Sequence, residues 1–174
     1  MNAVLEAIFR RRSIRKYLEK PVPKELLLQL LQTGMAGPSA HNGRPWEFVV
    51  ITDPATLDEF RRHLKYGDRN AQAAIAVCYN PAIASNPSSK RWWVQDCAAA
   101  MENMLIAAPS LGLGALWVGV YPQAGNVRQV RRILELPAGI IPFALVYTGY
   151  PAEEKPPRTQ FEESRIHWER FYSA

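Results

Sequence analysis

Apolar residues near the start of the chain recur at helical spacing. Val4, Leu5, Ile8 and Phe9 fall on one face and predict a helix over residues 3–12. Pro21 and Pro23 punctuate, and Pro23 stands where a second helix can begin, running through the Leu-rich stretch 25–31 to end near Gly34. Residues 37–46, Gly-Pro-Ser-Ala-His-Asn-Gly-Arg-Pro-Trp, have no period and read as a shaped loop. A strand is predicted over 47–52, and Asp53-Pro54 can cap and open a helix over 54–64. The nearly continuous apolar run 74–79 reads as a buried strand. The Pro, Ser and Asn residues of 80–91 predict a mobile segment.

From Trp93 to about Leu111 the pattern is apolar nearly all round, which predicts a central helix packed on both sides, kinked or ended by Pro109. A strand at 115–118 follows, then a helix over 127–135 capped by Asn126, then a last strand at 143–148 opened by Pro142. Helices around a sheet of four or five strands make an α+β or α/β domain. With no repeat and no linker, residues 1–174 read as one domain. The tail from 149 is too long and too aromatic to hang free, and it is expected to wrap over a neighbouring surface.

At 174 residues and 48% hydrophobic the chain can bury a sizeable core. It holds no apolar run of membrane-spanning length. Glu6 and Arg10 break the first apolar stretch, so no secretory pattern is read there. Cys78 and Cys97 lie in apolar stretches without metal-ligand spacing, as small buried thiols in a reducing cytoplasm would. His41, His63 and His167 show no ligand pairing, so no metal site is read. Asp96 and Glu102, six apart on the long helix, are too far apart for a paired acid and base.

Charge changes the picture more. The net charge is +5, and residues 1–24 hold seven Lys or Arg against Glu6 and Glu19. The stretch Arg10-Arg11-Arg12-Ser13-Ile14-Arg15-Lys16-Tyr17 packs five cations and a hydroxyl into eight residues. Such a run either binds a phosphate, through guanidinium forks and a short hydroxyl, or is a solvated basic turn at a helix end. No zinc-finger, RNP or KH pattern accompanies it, which disfavours nucleic acid as the partner.

Several islands taken together resemble the nitroreductase family of FMN-dependent oxidoreductases in its short, single-domain form. They are Arg11-Arg12-Ser13-Ile14-Arg15, the loop 37–46, the helix segment 96–105, the stretch Gly112-Leu113-Gly114 to Tyr121-Pro122, and Gly149-Tyr150-Pro151. The resemblance runs from about residue 4 to the C-terminus. It implies a three-layer α+β sandwich with a mostly antiparallel central sheet, forming an intertwined homodimer with two FMN sites at the interface. Residues 149–174 are then expected to wrap the partner subunit.

Residue by residue, the resemblance places Arg11, Arg12, Ser13 and Arg15 on the FMN phosphate and ribityl chain, with Arg15 also near the pyrimidine edge. Pro38, Ser39, Ala40 and Asn42 match the loop that lines the flavin from the other subunit. Val118 and Gly119 match a strand end beside flavin N5, where a glycine lets the backbone come close. Lys155 and Arg158 match a last basic pair near the phosphate. Asn70 and Gln72 fall where the family contacts the flavin's polar edge, and Trp92 and Trp93 where a planar substrate would stack. Arg44 and Gln160 depart from the family's usual Gln and basic residue at those positions.

The activity implied is ping-pong hydride transfer from NAD(P)H, through the flavin, to planar acceptors such as nitroaromatics or quinones. The cofactor carries the chemistry, so no catalytic side chain is named. Two alternatives stand beside it. One is a flavin enzyme of the same scaffold acting on a specific metabolite. The other is a basic module that binds nucleotide or nucleic acid without turnover.

Overall fold

The computed structural model describes residues 2–171, and its centre is a strand with no exposed residue. Strand β2 (Ala73–Tyr79) is buried at every position. It lies between β1 (Trp46–Ile51) and β4 (Ile141–Gly149), and β4 pairs on its far side with β3 (Gly114–Gly119). The order is β1-β2-β4-β3, and all three pairings are antiparallel.

Both sheet faces are covered, which explains the unbroken apolar runs read as buried strands. On one face Ile75, Val77 and Val146 pack against α2 (Lys24–Met35) and α5 (Trp93–Ser110), around Leu30, Met101 and Met104. On the other, Ala74, Ala76, Leu145 and Tyr147 pack with Phe60 of α3 (Pro54–His63) and Val130 of α6 (Ala124–Ile133). The sandwich is therefore three layers deep, as the resemblance implies. A register shift between Val77 and Cys78 leaves Phe143 as an extra residue in β4, so Phe143 and Ala144 both join the α5 face.

The main differences from the sequence reading lie at three places. Helix α1 (Ala3–Arg10) starts under an Asn2 side-chain cap and stops two residues early. Arg11 leaves helical geometry (φ −58°, ψ 120°), and the chain runs on to bridge Ser13 to Ala115. The segment 80–91 is not featureless. It contains α4 (Pro87–Arg91), where Asn86 and Ser89 exchange reciprocal capping bonds. Asn126 does not cap α6. The cap position is Gln123, and the Asn126 amide, inside the first turn, donates back to the Gly119 carbonyl oxygen at 3.2 Å.

Pro109 falls in the last turn of α5, and the chain reverses at Gly112 with φ +71°. It then enters β3 at Gly114, where an added Cβ would lie 2.8 Å from Ile14 side-chain atoms. This glycine is needed for the basic segment to lie against the sheet edge.

Two apolar surfaces have no cover among the described residues. Helix α1 has no buried residue, and Val4 is 66% exposed. In the tail, Phe161, Trp168 and Phe171 are each more than 70% exposed. Among the described residues no helix is long and apolar enough to cross a membrane.

Candidate functional site

The two ends of the chain meet over the start of β3. Arg158 N–H donates to the Phe9 carbonyl oxygen at 3.2 Å, and Arg12 Nη1 donates to the carbonyl oxygen of Pro156. Lys155 Nζ donates to the Ser13 carbonyl oxygen at 2.6 Å and pairs with Glu153 Oε1 at 3.0 Å. The same Glu153 oxygen accepts the Arg15 backbone N–H at 2.5 Å. These contacts, led by the Arg15 amide and joined by Lys155, hold the Glu153 carboxyl below its ordinary pKa.

An open cleft of about 830 Å³ lies at this meeting point. Phe9, Ile14 and Leu113 give it apolar walls, Arg12, Lys155 and Arg158 face it, and Glu6, Glu153 and Glu154 also line it. Among the described residues neither Arg12 nor Arg158 has a carboxylate within ion-pair distance, and Arg15 has none either. Unpaired guanidinium groups beside an apolar wall suit a ligand with both a phosphate and a flat apolar body. Arg11 lies outside this cleft. Its Nε stands 3.4 Å from Glu102 Oε1 on α5.

The loop 38–42 sits elsewhere, on the first turns of α5. Asp96 Oδ1 accepts the Ala40 N–H at 2.9 Å, and an added Cβ on Gly37 would lie 3.2 Å from Ala100 N. The loop folds on itself through Asn42 N–H to Ser39 O (2.9 Å) and Arg44 N–H to Ser39 Oγ (3.0 Å). His41, Asn42 and Arg44 all take positive φ, at 49°, 53° and 43°. Non-glycine residues occupy that region at a cost, so the surroundings must hold them there. Gly43 provides part of that hold, since an added Cβ would lie 2.3 Å from Ser89 Cβ on α4. Pro38 and Asn42 stay exposed.

At the far end of β3, Val118 is buried and Gly119 exposed. Nothing would stand within 4 Å of a Cβ on Gly119, so its backbone is open to close approach. Trp92 is 47% exposed, with the Arg91 guanidinium 5.6 Å from its ring centroid. Trp93 has a different setting. It stacks on Tyr79 at 4.7 Å and meets Tyr121 edge-on at 4.7 Å, inside the aromatic packing of the α5 face.

Asn70 and Gln72 stand apart from the cleft. Asn70 Oδ1 accepts the Tyr17 N–H at 3.0 Å and Nδ2 donates to Tyr17 O at 2.7 Å, while Gln72 Nε2 donates to Asn70 O at 2.9 Å. The Asn70 amide thus fixes the backbone two residues beyond Arg15. Among the described residues no cluster of His, Cys, Asp or Glu could hold a metal ion.

The sequence reading did not single out Glu153, and it set Asp96 and Glu102 aside as an acid–base pair. The pattern did carry a sign of Asp96: an acid at the head of a largely apolar helix, 4% exposed once folded. Burial raises its pKa, and its second oxygen, Oδ2, has no hydrogen-bond partner.

The chain matches the nitroreductase family pattern over residues 8–67 and 63–150. It is 44% identical over 170 residues to a protein of Methanothermobacter thermautotrophicus named NADH dehydrogenase/NAD(P)H nitroreductase, covering 97% of this chain and 87% of that one. It is 32% identical to the NADH dehydrogenase of Thermus thermophilus, over 92% of each. Among solved structures, a nitroreductase of Desulfovibrio desulfuricans in complex with FMN superposes with a TM-score of 0.82 at 31% identity, over 99% of both chains. These matches span nearly the whole sequence and the whole sandwich, and the chain belongs to the nitroreductase family.

Proposed function

We propose that this protein is an FMN-dependent oxidoreductase that takes hydride from NAD(P)H and passes it to planar acceptors such as nitroaromatics or quinones. The observation that carries this reading is the cleft at the joined chain ends, where Arg12, Lys155 and Arg158 face one apolar-walled space. FMN would supply the hydride-accepting ring, and the protein's part is binding, orientation and electrostatics. Arg12, Lys155 and Arg158 would hold the phosphate and ribityl end from the cleft, with Ser13 beside them through its backbone tie to Lys155, while Arg11, held by Glu102 outside the cleft, would flank it. Arg15, a cation without an ion-pair partner among the described residues, would balance negative charge on the ring's pyrimidine edge. Val118 and Gly119 would offer the backbone for close approach, with Trp92 and Trp93 at the substrate side. Asn70 and Gln72 would act on this site through the Tyr17 backbone.

Within one chain the cleft, the loop 38–42 and the end of β3 do not share a single pocket. A homodimer supports the site best, with loop 38–42 of one subunit completing the flavin site of the other. The uncovered apolar face of α1 and the exposed aromatics of the tail 149–174 are the surfaces that would meet the partner. Across the variable segment 80–91 the chain forms one short capped helix, which favours an open ring face and a broad acceptor range over a lidded, metabolite-specific enzyme. Two free buried cysteines fit a cytoplasmic setting.

The test is an absorbance spectrum of the purified protein, followed by anaerobic NADH and then NADPH. A flavin spectrum bleached by either donor supports the proposal. A colourless protein that fails to take up added FMN sinks it.

A further inference from the structure

We infer that Asp96 is a positioning residue for the flavin loop. Its buried carboxylate on α5 holds Ala40, and with it Pro38 to Asn42, in the one conformation that a flavin ring can meet. This inference rests on the reading of the loop as part of an FMN site.

The loop cannot hold its shape by propensity. Its tip places two non-glycine residues in succession at positive φ, His41 and Asn42, and Arg44 follows one residue later. Each such residue is disfavoured relative to ordinary backbone. Two of the loop's own hydrogen bonds, Asn42 N–H to Ser39 O and Arg44 N–H to Ser39 Oγ, close it upon itself and do not fix it to the body. Asp96 Oδ1 to Ala40 N–H is the side-chain bond that ties its centre to α5.

Burying a carboxylate for this purpose is costly. Asp96 is 4% exposed, and Oδ2 is left without a partner. A fold seeking only stability does better with an apolar or neutral side chain at such a position. The carboxylate makes sense where a charge-assisted bond to one amide must be short and directional. Asp96 sits in the first turn of α5, where the helix dipole offsets part of the cost. Gly37 against Ala100 and Gly43 against Ser89 add steric walls on either side of this bond. Of these contacts, the Asp96 bond is the hydrogen bond to the loop's centre, and its side chain can be truncated without altering the loop's own residues.

The test is a double-mutant cycle in the purified full-length protein, with Asp96→Ala, Asp96→Asn and Ala40→Pro. Pro suits position 40 because Ser39 already has extended geometry (φ −144°, ψ 153°) and Ala40 opens a helical turn, so the change removes the N–H donor and little else. FMN affinity of the apoprotein is read by flavin fluorescence titration, and loop order by the visible circular dichroism of bound flavin. Asp96→Ala and Ala40→Pro are each expected to weaken FMN by about tenfold and to alter the dichroism. The double variant should be no worse than the weaker single, because both remove the same bond. Asp96→Asn, whose amide oxygen still accepts the Ala40 N–H but without the charge, should bind more tightly than Asp96→Ala and more weakly than the parent.

Asp96→Ala with parental affinity and dichroism overturns the inference, as do additive losses in the cycle. If Asp96→Ala does not fold, Ala40→Pro decides alone, and parental affinity there overturns it. A parent protein that binds no FMN is a different result, which sinks the function and not the placement of this bond.

Discussion

The Lys155 ammonium donates to the Ser13 carbonyl oxygen at 2.6 Å, joining residues 142 apart in sequence. Through Glu153 the same lysine is tied to the Arg15 backbone amide, so one acid and one base hold the tail against the basic segment. Replacing Lys155 by Ala removes this tie and one cation of the cleft. FMN affinity of the apoprotein is expected to fall by about tenfold or more, measured by fluorescence titration. Lys155→Arg should recover part of it.

Glu153 makes a pH-dependent contribution with a definite sign. Its pKa is lowered in the folded protein, first by the Arg15 amide and further by Lys155. The stability it adds is complete above the ordinary carboxylate value near 4.5 and is lost as pH falls through its lowered value. Chemical denaturation of the parent and Glu153→Gln from neutral pH into acid should therefore show a gap that closes at the acid end. A gap constant with pH would mean that the glutamate acts by packing alone.

Gly119 and Gly114 should respond differently to the same change. Nothing opposes a Cβ at Gly119, so Gly119→Ala should fold with parental thermal stability, yet weaken FMN or slow its reduction if the ring meets this backbone. Gly114→Ala drives a methyl into Ile14 and should lower stability by about 1–3 kcal/mol, displacing the basic segment with it. Parental flavin binding by Gly119→Ala would move the ring contact elsewhere on the strand.

Both thiols should be silent in the folded protein. Cys78 and Cys97 are no more than 1% exposed, and burial pushes the Cys78 thiol up to about 12. Burial raises the Cys97 thiol as well. Labelling with a thiol reagent at pH 8 should give no adduct until denaturant is added, and then two.

Much of the sandwich was legible because it depends on local pattern. The run 74–79 is apolar because both of its faces are covered, and α5 is apolar nearly all round because it is a core helix. The misread boundaries came from tertiary bonds. Arg11 leaves α1 because the chain must reach Ala115, and Asn126 turns away from the helix end to meet Gly119. The short helix α4 was written in Asn86-Pro87-Ser88-Ser89, a capping pattern masked by its loop-like composition.

The residue types of the candidate site could be read from the sequence, but its wiring could not. Arg12, Lys155 and Arg158, far apart in sequence, line one cleft. The tie through Glu153 could not be read, because an acid near a basic run gives no sign of which amide it will accept. The two tryptophans were adjacent in sequence but settled differently. Trp92 remains at the surface, and Trp93 is drawn into packing with Tyr79 and Tyr121.

The cleft draws its walls from residues 6–14 and 151–159, with a short contribution from 109–114. During synthesis the wall at 6–14 is therefore made long before the wall at 151–159. Until the segment around Arg158 has left the ribosome, the basic stretch has no tail to close over it. On the proposed reading of this cleft, flavin would load late, after the sandwich has formed. Truncation within residues 151–174 would leave a largely intact core with an unfinished cleft.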